Sequence, residues 1–138
     1  MSDRVTVTIA DGIADVRFNR ADKRNALDNE QFVAIAEAGE ALKSAAGVRA
    51  VVVSGEGASF CAGLDFSIFG QFAADAGATA GPRIGALTES GITHLAQQVY
   101  WVWQELPVPV IAAVHGHALG GGAQIALGAD IRISTTDA

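Results

Sequence analysis

Three consecutive glycines, Gly120, Gly121 and Gly122, stand in the stretch HALGGGAQIALGAD (residues 117–130), directly before a short apolar run. A helix that opens on bare glycines presents backbone N–H groups with no intrahelical acceptor, together with the positive end of the helix dipole. That combination stabilises an anion. The nearest side chain with polar chemistry is the neutral amide of Gln124, which exchanges no proton near neutrality. A second Gly-containing turn, GASFCAGLDF (57–66), carries Ala62, Gly63, Leu64 and Asp65. An N–H from it would complete a pair of donors, and paired amides suit an oxyanion. Glycines also permit tight turns and close helix–sheet packing, so both roles stay open at this point.

Other chemistries find less support in the residue types. No G-x-x-x-x-G-K-[ST] run is present, and GEG at 55–57 lacks the rest of a dinucleotide fingerprint. G-x-S-x-G is absent, so there is no nucleophile elbow. His115 and His117 have no third ligand at metal-binding spacing, and Cys61 has no identifiable base partner. His94, Trp101 and Trp103 read as core or interface residues. RADKR (Arg20, Lys23, Arg24) is the one local basic cluster, enough for one polyanionic ligand or simply a solvated loop.

The elements that must position these turns follow from the pattern. RVTVTIA and IADVRF alternate apolar with polar residues around Asp11-Gly12, a β-hairpin signal. NRADKRNAL is an irregular polar loop. Asp28 is a helix N-cap with Gln31 at the capping-box position. Ile35, Ala38, Leu42 and Ala45 or Ala46 form the apolar stripe of that helix, and Gly47 stops it. RAVVVSG is nearly continuous and β-branched, the pattern of a strand buried on both faces. A helix over His94 to Glu105 precedes PVPVIAAV, a strand with Pro107 and Pro109 confined to its entrance. The glycine run then opens a short helix, and DIRIS is one more strand. Strand–helix–strand succession favours a mostly parallel α/β sheet, with both glycine turns at its carboxyl edge.

Half of the 138 residues are hydrophobic and 17% are charged, a globular composition. The expectation is a single domain over residues 1–138, with the Gly- and Ala-rich 70–91 stretch as a flexible insertion. A net charge of -6 argues against a nucleic-acid partner. The single cysteine requires no oxidising compartment, and VPVIAAV, the longest apolar run, is too short to span a bilayer. The expectation is a cytoplasmic protein without a membrane segment. The chain stops four residues after DIRIS, where an edge strand wants a covering element, so a truncated parent is expected.

NRADKRNALD, SFCAGLDF and PVPVIAAVHGHALGGGAQIALGADIRIS together resemble the crotonase, or enoyl-CoA hydratase/isomerase, family. The resemblance runs from the hairpin to the last residue. It implies repeated ββα units, acyl-CoA thioester substrates, no cofactor beyond the CoA carried by the substrate, and homotrimers or hexamers. It further implies an oxyanion hole made by the backbone amides of Leu64 and Gly121, with Ala62 and Gly120 beside them. Arg24 and Ala26 match the loop that meets the CoA phosphates and adenine, and Asp65 and Phe66 match the wall beside the CoA. The departure is Gln124, which occupies the position of a glutamate acid/base in the family's hydratases. Their second carboxylate falls past Ala138. The resemblance therefore implies a parent enzyme with isomerase-like chemistry in preference to hydration. The alternative is a non-catalytic fragment for CoA-thioester binding or oligomer interaction, and the residues after Ala138 discriminate the two.

Overall fold

Alternation of apolar and polar residues produces an antiparallel hairpin, β1 (Val5–Ala10) with β2 (Ile13–Phe18), in register from Val5↔Phe18 to Ala10↔Ile13. Its turn residues Asp11 and Gly12 both have positive φ, 51° and 83°, as a two-residue type I′ turn requires. The structure, a computed structural model, describes residues 2–68, 70 and 92–138. Nearly all of the expected 70–91 insertion thus lies outside the described residues.

From β2 onward the pairing is parallel: β2 with β3 (Ala50–Gly55), β3 with β4 (Val110–Val114), and β4 with β5 (Ile131–Ser134). The five strands lie in sequence order, β1-β2-β3-β4-β5. Helix α1 (Asn29–Leu42) joins β2 to β3, α2 (Leu95–Gln104) precedes β4, and α3 (Gly121–Gly128) joins β4 to β5. The expected α/β architecture with a mostly parallel sheet is present. No helix among the described residues is long and apolar enough to cross a membrane.

Register decides which face is core. Ala14, Val51 and Val110 align across β2, β3 and β4, as do Val16, Val53 and Ala112, and all six are buried. They pack with Phe32, Ile35 and Leu42 of α1, with Val99, Val102 and Trp103 of α2, and with Ile125 and Ala126 of α3. The expectation that RAVVVSG is buried on both faces is corrected. In β3 burial alternates, Val52 and Ser54 being half-buried, because the α1–α3 core lies against the other face. Every residue of β5 is exposed.

Helix α1 starts as its cap predicts: the Gln31 N–H donates to Asp28 Oδ1 at 2.8 Å. The Gln31 side chain, however, does not complete a capping box but donates to the Arg4 carbonyl at 3.2 Å. The helix also stops earlier than expected, at Leu42, and Gly47 (φ 79°) lies in the turns beyond it. Helix α2 runs inside the expected span, with His94 as its cap and Gln97 closing the box. Gly39 lets α2 approach α1 closely, since a Cβ there would sit 2.5 Å from Val102 methyl carbons.

Candidate active site

The turns after β3 and β4 meet at the carboxyl edge of the sheet. Phe60 is fully buried with its ring 5.4 Å from that of Phe18, which seats the first turn on the core. From there a short ladder stitches the two turns together. The Phe60 N–H donates to the His115 carbonyl (2.8 Å), the Cys61 N–H to the His117 carbonyl (3.0 Å), and the Leu119 N–H to the Cys61 carbonyl (3.0 Å). The glycines make this closeness possible. A Cβ on Gly63 (φ 86°) would stand 2.5 Å from the Leu119 carbonyl oxygen, and one on Gly122 would stand 2.2 Å from that of Cys61. Close packing is thus a real part of their role. Gly120 differs: its surroundings are open, but its φ of 51° with ψ of -116° is a conformation that favours glycine.

Two peptide units at this junction have tied carbonyls and N–H groups that donate to no described residue. The Gly63 carbonyl accepts from the Leu27 N–H at 2.7 Å, and the Asp65 N–H donates to the Leu27 carbonyl at 2.9 Å. In a trans peptide the N–H points opposite to the C=O, so the Leu64 N–H is directed away from Leu27. The Gly120 carbonyl accepts from the Gln124 N–H at 3.1 Å, inside α3. The Gly121 N–H is therefore directed out of the helix's N-terminal end. Among the described residues neither Leu64 nor Gly121 donates a backbone hydrogen bond.

The polar loop forms the other wall. Ala62 is held to it by its N–H, which donates to the Arg24 carbonyl at 2.9 Å. Arg24 and Asn25 are consecutive left-handed residues (φ 50° and 56°), an uncommon conformation outside glycine that asparagine tolerates best. Asn25 fixes the bend from inside. It is fully buried, accepts from the Arg20 N–H (2.8 Å), and donates to the Glu56 and Ser59 carbonyls (2.9 Å each). Ala26 and Leu27 are buried, whereas Lys23 and Arg24 are exposed with no ion-pair partner among the described residues. The basic cluster therefore divides. Arg20 turns inward onto Asp65 (2.6 Å) and Asp28 (3.1 Å) and is not free for a polyanion. Sequence reasoning missed Asn25, Leu27 and this inward arginine; an asparagine in a polar loop, the residue that best tolerates a left-handed backbone, was the one signal available.

The side chains around the two amides are poor proton carriers. Asp65 accepts from the Ser67 N–H at 2.9 Å, and this contact together with Arg20 holds its carboxyl down at about 2. Burial pushes the Cys61 thiol up to about 11, and Cys61 Sγ donates to the Asn25 carbonyl. Gln124 is exposed on the first turn of α3, and Phe66 projects into solvent at 88% exposure. His117 Nδ1 lies 3.2 Å from the Ser59 hydroxyl and His115 Nε2 2.9 Å from the Gly57 carbonyl, so both histidines brace the 57–59 turn. A groove of about 430 Å³ opens beside α3 with Leu119, Ala123, Leu127 and Arg132 among its walls, but Leu64 and Gly121 do not line it.

The family model for enoyl-CoA hydratase/isomerase matches residues 8–138. The chain belongs to the enoyl-CoA hydratase/isomerase, or crotonase, family. It is 32% identical over 126 residues to the mitochondrial Delta(3,5)-Delta(2,4)-dienoyl-CoA isomerase of Mus musculus, covering 91% of this chain and 38% of that protein. It is 36% identical over 128 residues to the mitochondrial methylglutaconyl-CoA hydratase of the same species, covering 92% and 37%. Among solved structures, an enoyl-CoA hydratase from Mycobacterium avium subsp. paratuberculosis K-10 superposes with a TM-score of 0.74 at 26% identity, covering 97% of this chain and 48% of that one. The chain spans half or less of the length of these relatives.

Proposed function

We propose that the whole protein is an enoyl-CoA hydratase/isomerase-type enzyme acting on acyl-CoA thioesters, with double-bond isomerisation in preference to hydration. One observation carries this reading: two peptide units with anchored carbonyls and N–H groups without an acceptor among the described residues, Gly63–Leu64 and Gly120–Gly121, lie in turns that touch each other. When an α-proton leaves a thioester, negative charge moves onto the carbonyl oxygen. Two fixed donors at that oxygen offset the charge without reorganising, and each is worth about 10²–10³ in rate. Lys23 and Arg24 stand exposed to receive the CoA phosphates, and Phe66 is available as a wall for the CoA. CoA is part of the substrate, and no separate cofactor enters. Assembly as a homotrimer or hexamer in the cytoplasm belongs to the same proposal.

The preference for isomerisation rests on Gln124. Hydration needs a base to take a proton from water and an acid to protonate the α-carbon. Gln124 does neither, and Asp65 is tied to Arg20 and Ser67 with its carboxyl at about 2. Moving a double bond needs only one group that carries a proton between two carbons. We place that role on a residue other than Gln124 and Asp65.

The test supplies the whole protein with 2-enoyl- and 3-enoyl-CoA substrates in D₂O and identifies products by NMR. Interconversion of the two isomers with deuterium at carbon is the expected result. Predominant 3-hydroxyacyl-CoA would sink the isomerase preference. Thioester binding without turnover would select the non-catalytic alternative, and absence of binding would end the thioester reading altogether.

A further inference from the structure

We infer that Arg20 is a positioning residue: it clamps the Leu27–Leu64 junction from both sides and neutralises Asp65, thereby fixing the angle and the charge environment of the Leu64 N–H. This deepens the proposed reading and rests on it.

The side chain of Arg20 is 13% exposed and grips three groups. Nη1 donates to the Ala26 carbonyl at 2.9 Å and to Asp65 Oδ2 at 2.6 Å, and Nη2 lies 3.1 Å from Asp28 Oδ2. Ala26 and Asp28 flank Leu27, whose N–H and C=O hold the Gly63 carbonyl and the Asp65 N–H. Asp65 follows Leu64 directly. One planar guanidinium therefore ties the residues on either side of Leu27 to the residue after Leu64, across 45 positions of sequence. Movement of any one of these groups tilts the Gly63–Leu64 peptide and swings its N–H.

Charge gives the second part. Asp65 stands next to the proposed donor, and an unpaired carboxylate there would oppose the negative charge developing on a thioester oxygen. Arg20 cancels it, while the Ser67 N–H occupies the other carboxylate oxygen. Asp28 is shared with Arg4 at 3.1 Å, so loss of Arg20 leaves Asp28 partly compensated and Asp65 without a cation among the described residues. A lysine would keep the charge but not the fork that reaches three groups at once.

The experiment compares the whole protein with Arg20→Lys, Arg20→Gln and the Arg20→Gln/Asp65→Asn double variant. It reads the chemical shift of the Leu64 amide without ligand, and kcat and KM separately for CoA and pantetheine thioesters. Arg20→Gln is expected to move the Leu64 resonance and to lower kcat by about tenfold or more, a part of what a lost donor costs. KM stays nearly constant for both thioesters, because Arg20 is not a phosphate ligand. The double variant regains a good part of kcat, and Arg20→Lys falls between wild type and Arg20→Gln. An unmoved Leu64 resonance, a loss confined to KM, or a double variant no better than Arg20→Gln overturns the inference. If Arg20→Gln does not fold, Arg20→Lys carries the same comparison. A wild type inert on every thioester refutes the functional reading, and the Leu64 resonance still decides whether Arg20 positions the turn.

Discussion

Gly121→Pro is the sharpest perturbation the structure offers, because it removes one N–H and puts a ring Cδ in the direction the N–H took, so donor and receiving space are lost together. Gly121 is the first residue of α3, a position where the N–H has no intrahelical partner and proline is well accommodated. Its φ is not in the left-handed region. The preceding Gly120, at φ 51° and ψ -116°, occupies the mirror image of an extended conformation, which achiral glycine can hold before proline. The added Cβ would stand 2.7 Å from Leu27 Cδ1, the end of a flexible side chain. That crowding costs about 1 kcal/mol. It also bears on Leu27, which holds the Leu64 peptide, so Gly121→Ala is the necessary control: it adds the same Cβ and keeps the donor. If the Gly121 N–H binds the thioester oxygen, its loss costs about 3 kcal/mol in the transition state, roughly 150-fold. The assay is kcat/KM on enoyl-CoA substrates with the whole protein, after circular dichroism and melting have shown both variants folded. Gly121→Pro falling roughly 100-fold below Gly121→Ala is the expected result. Equal rates in the two variants would refute the oxyanion role of this amide.

Gly122→Ala forces a Cβ to within 2.2 Å of the Cys61 carbonyl oxygen and is expected to lower stability by about 1–3 kcal/mol; an unchanged melting temperature would show that the two turns do not pack as described. Neutralising Lys23 and Arg24, both exposed, is expected to raise KM for CoA thioesters and flatten its salt dependence while leaving pantetheine thioesters unaffected. An equal effect on both substrates would count against a phosphate contact. The Asp65 carboxyl, lowered from 3.8 to about 2, stabilises the fold fully above its unfolded value and loses that contribution as pH falls through its folded one. Melting of wild type should therefore drop more steeply between about pH 4 and pH 2 than melting of Asp65→Asn, and parallel profiles would contradict the Arg20 and Ser67 contacts.

Much of this arrangement is legible in the sequence because it is local. Asp11-Gly12 needs only its own two residues to declare a hairpin turn, and Asp28 caps α1 through a contact three residues away. The glycine turns are legible for the same reason, since a bare helix start advertises free donors. The errors arise where distant partners decide. Arg20 looks like Lys23 and Arg24 in composition, and only the fold brings it to Asp65, 45 residues on. The β-branched run of β3 looks equally apolar to both sides, but all the core partners lie on one face. Gly47 is the stop for α1 that the pattern predicts, yet the helix ends at Leu42 and the chain turns through several residues before Gly47.

The contrast between main chain and side chains at this site has a consequence for its chemistry. Both proposed donors are backbone groups whose direction is set by the carbonyl of the same peptide, and those carbonyls are held by Leu27 and Gln124 through backbone bonds alone. Such a device needs no titratable side chain of its own, provided the glycines keep their space and Arg20 keeps Asp65 neutralised. Proton transfer is the opposite case, because it depends entirely on a titratable side chain at the right place. Gln124 keeps the backbone bond to Gly120 that a glutamate there would make, so exchanging one for the other would alter proton traffic and leave the two proposed donors in place. Relatives named for different reactions, a dienoyl-CoA isomerase at 32% identity and a methylglutaconyl-CoA hydratase at 36%, both match this chain, as the proposed separation expects.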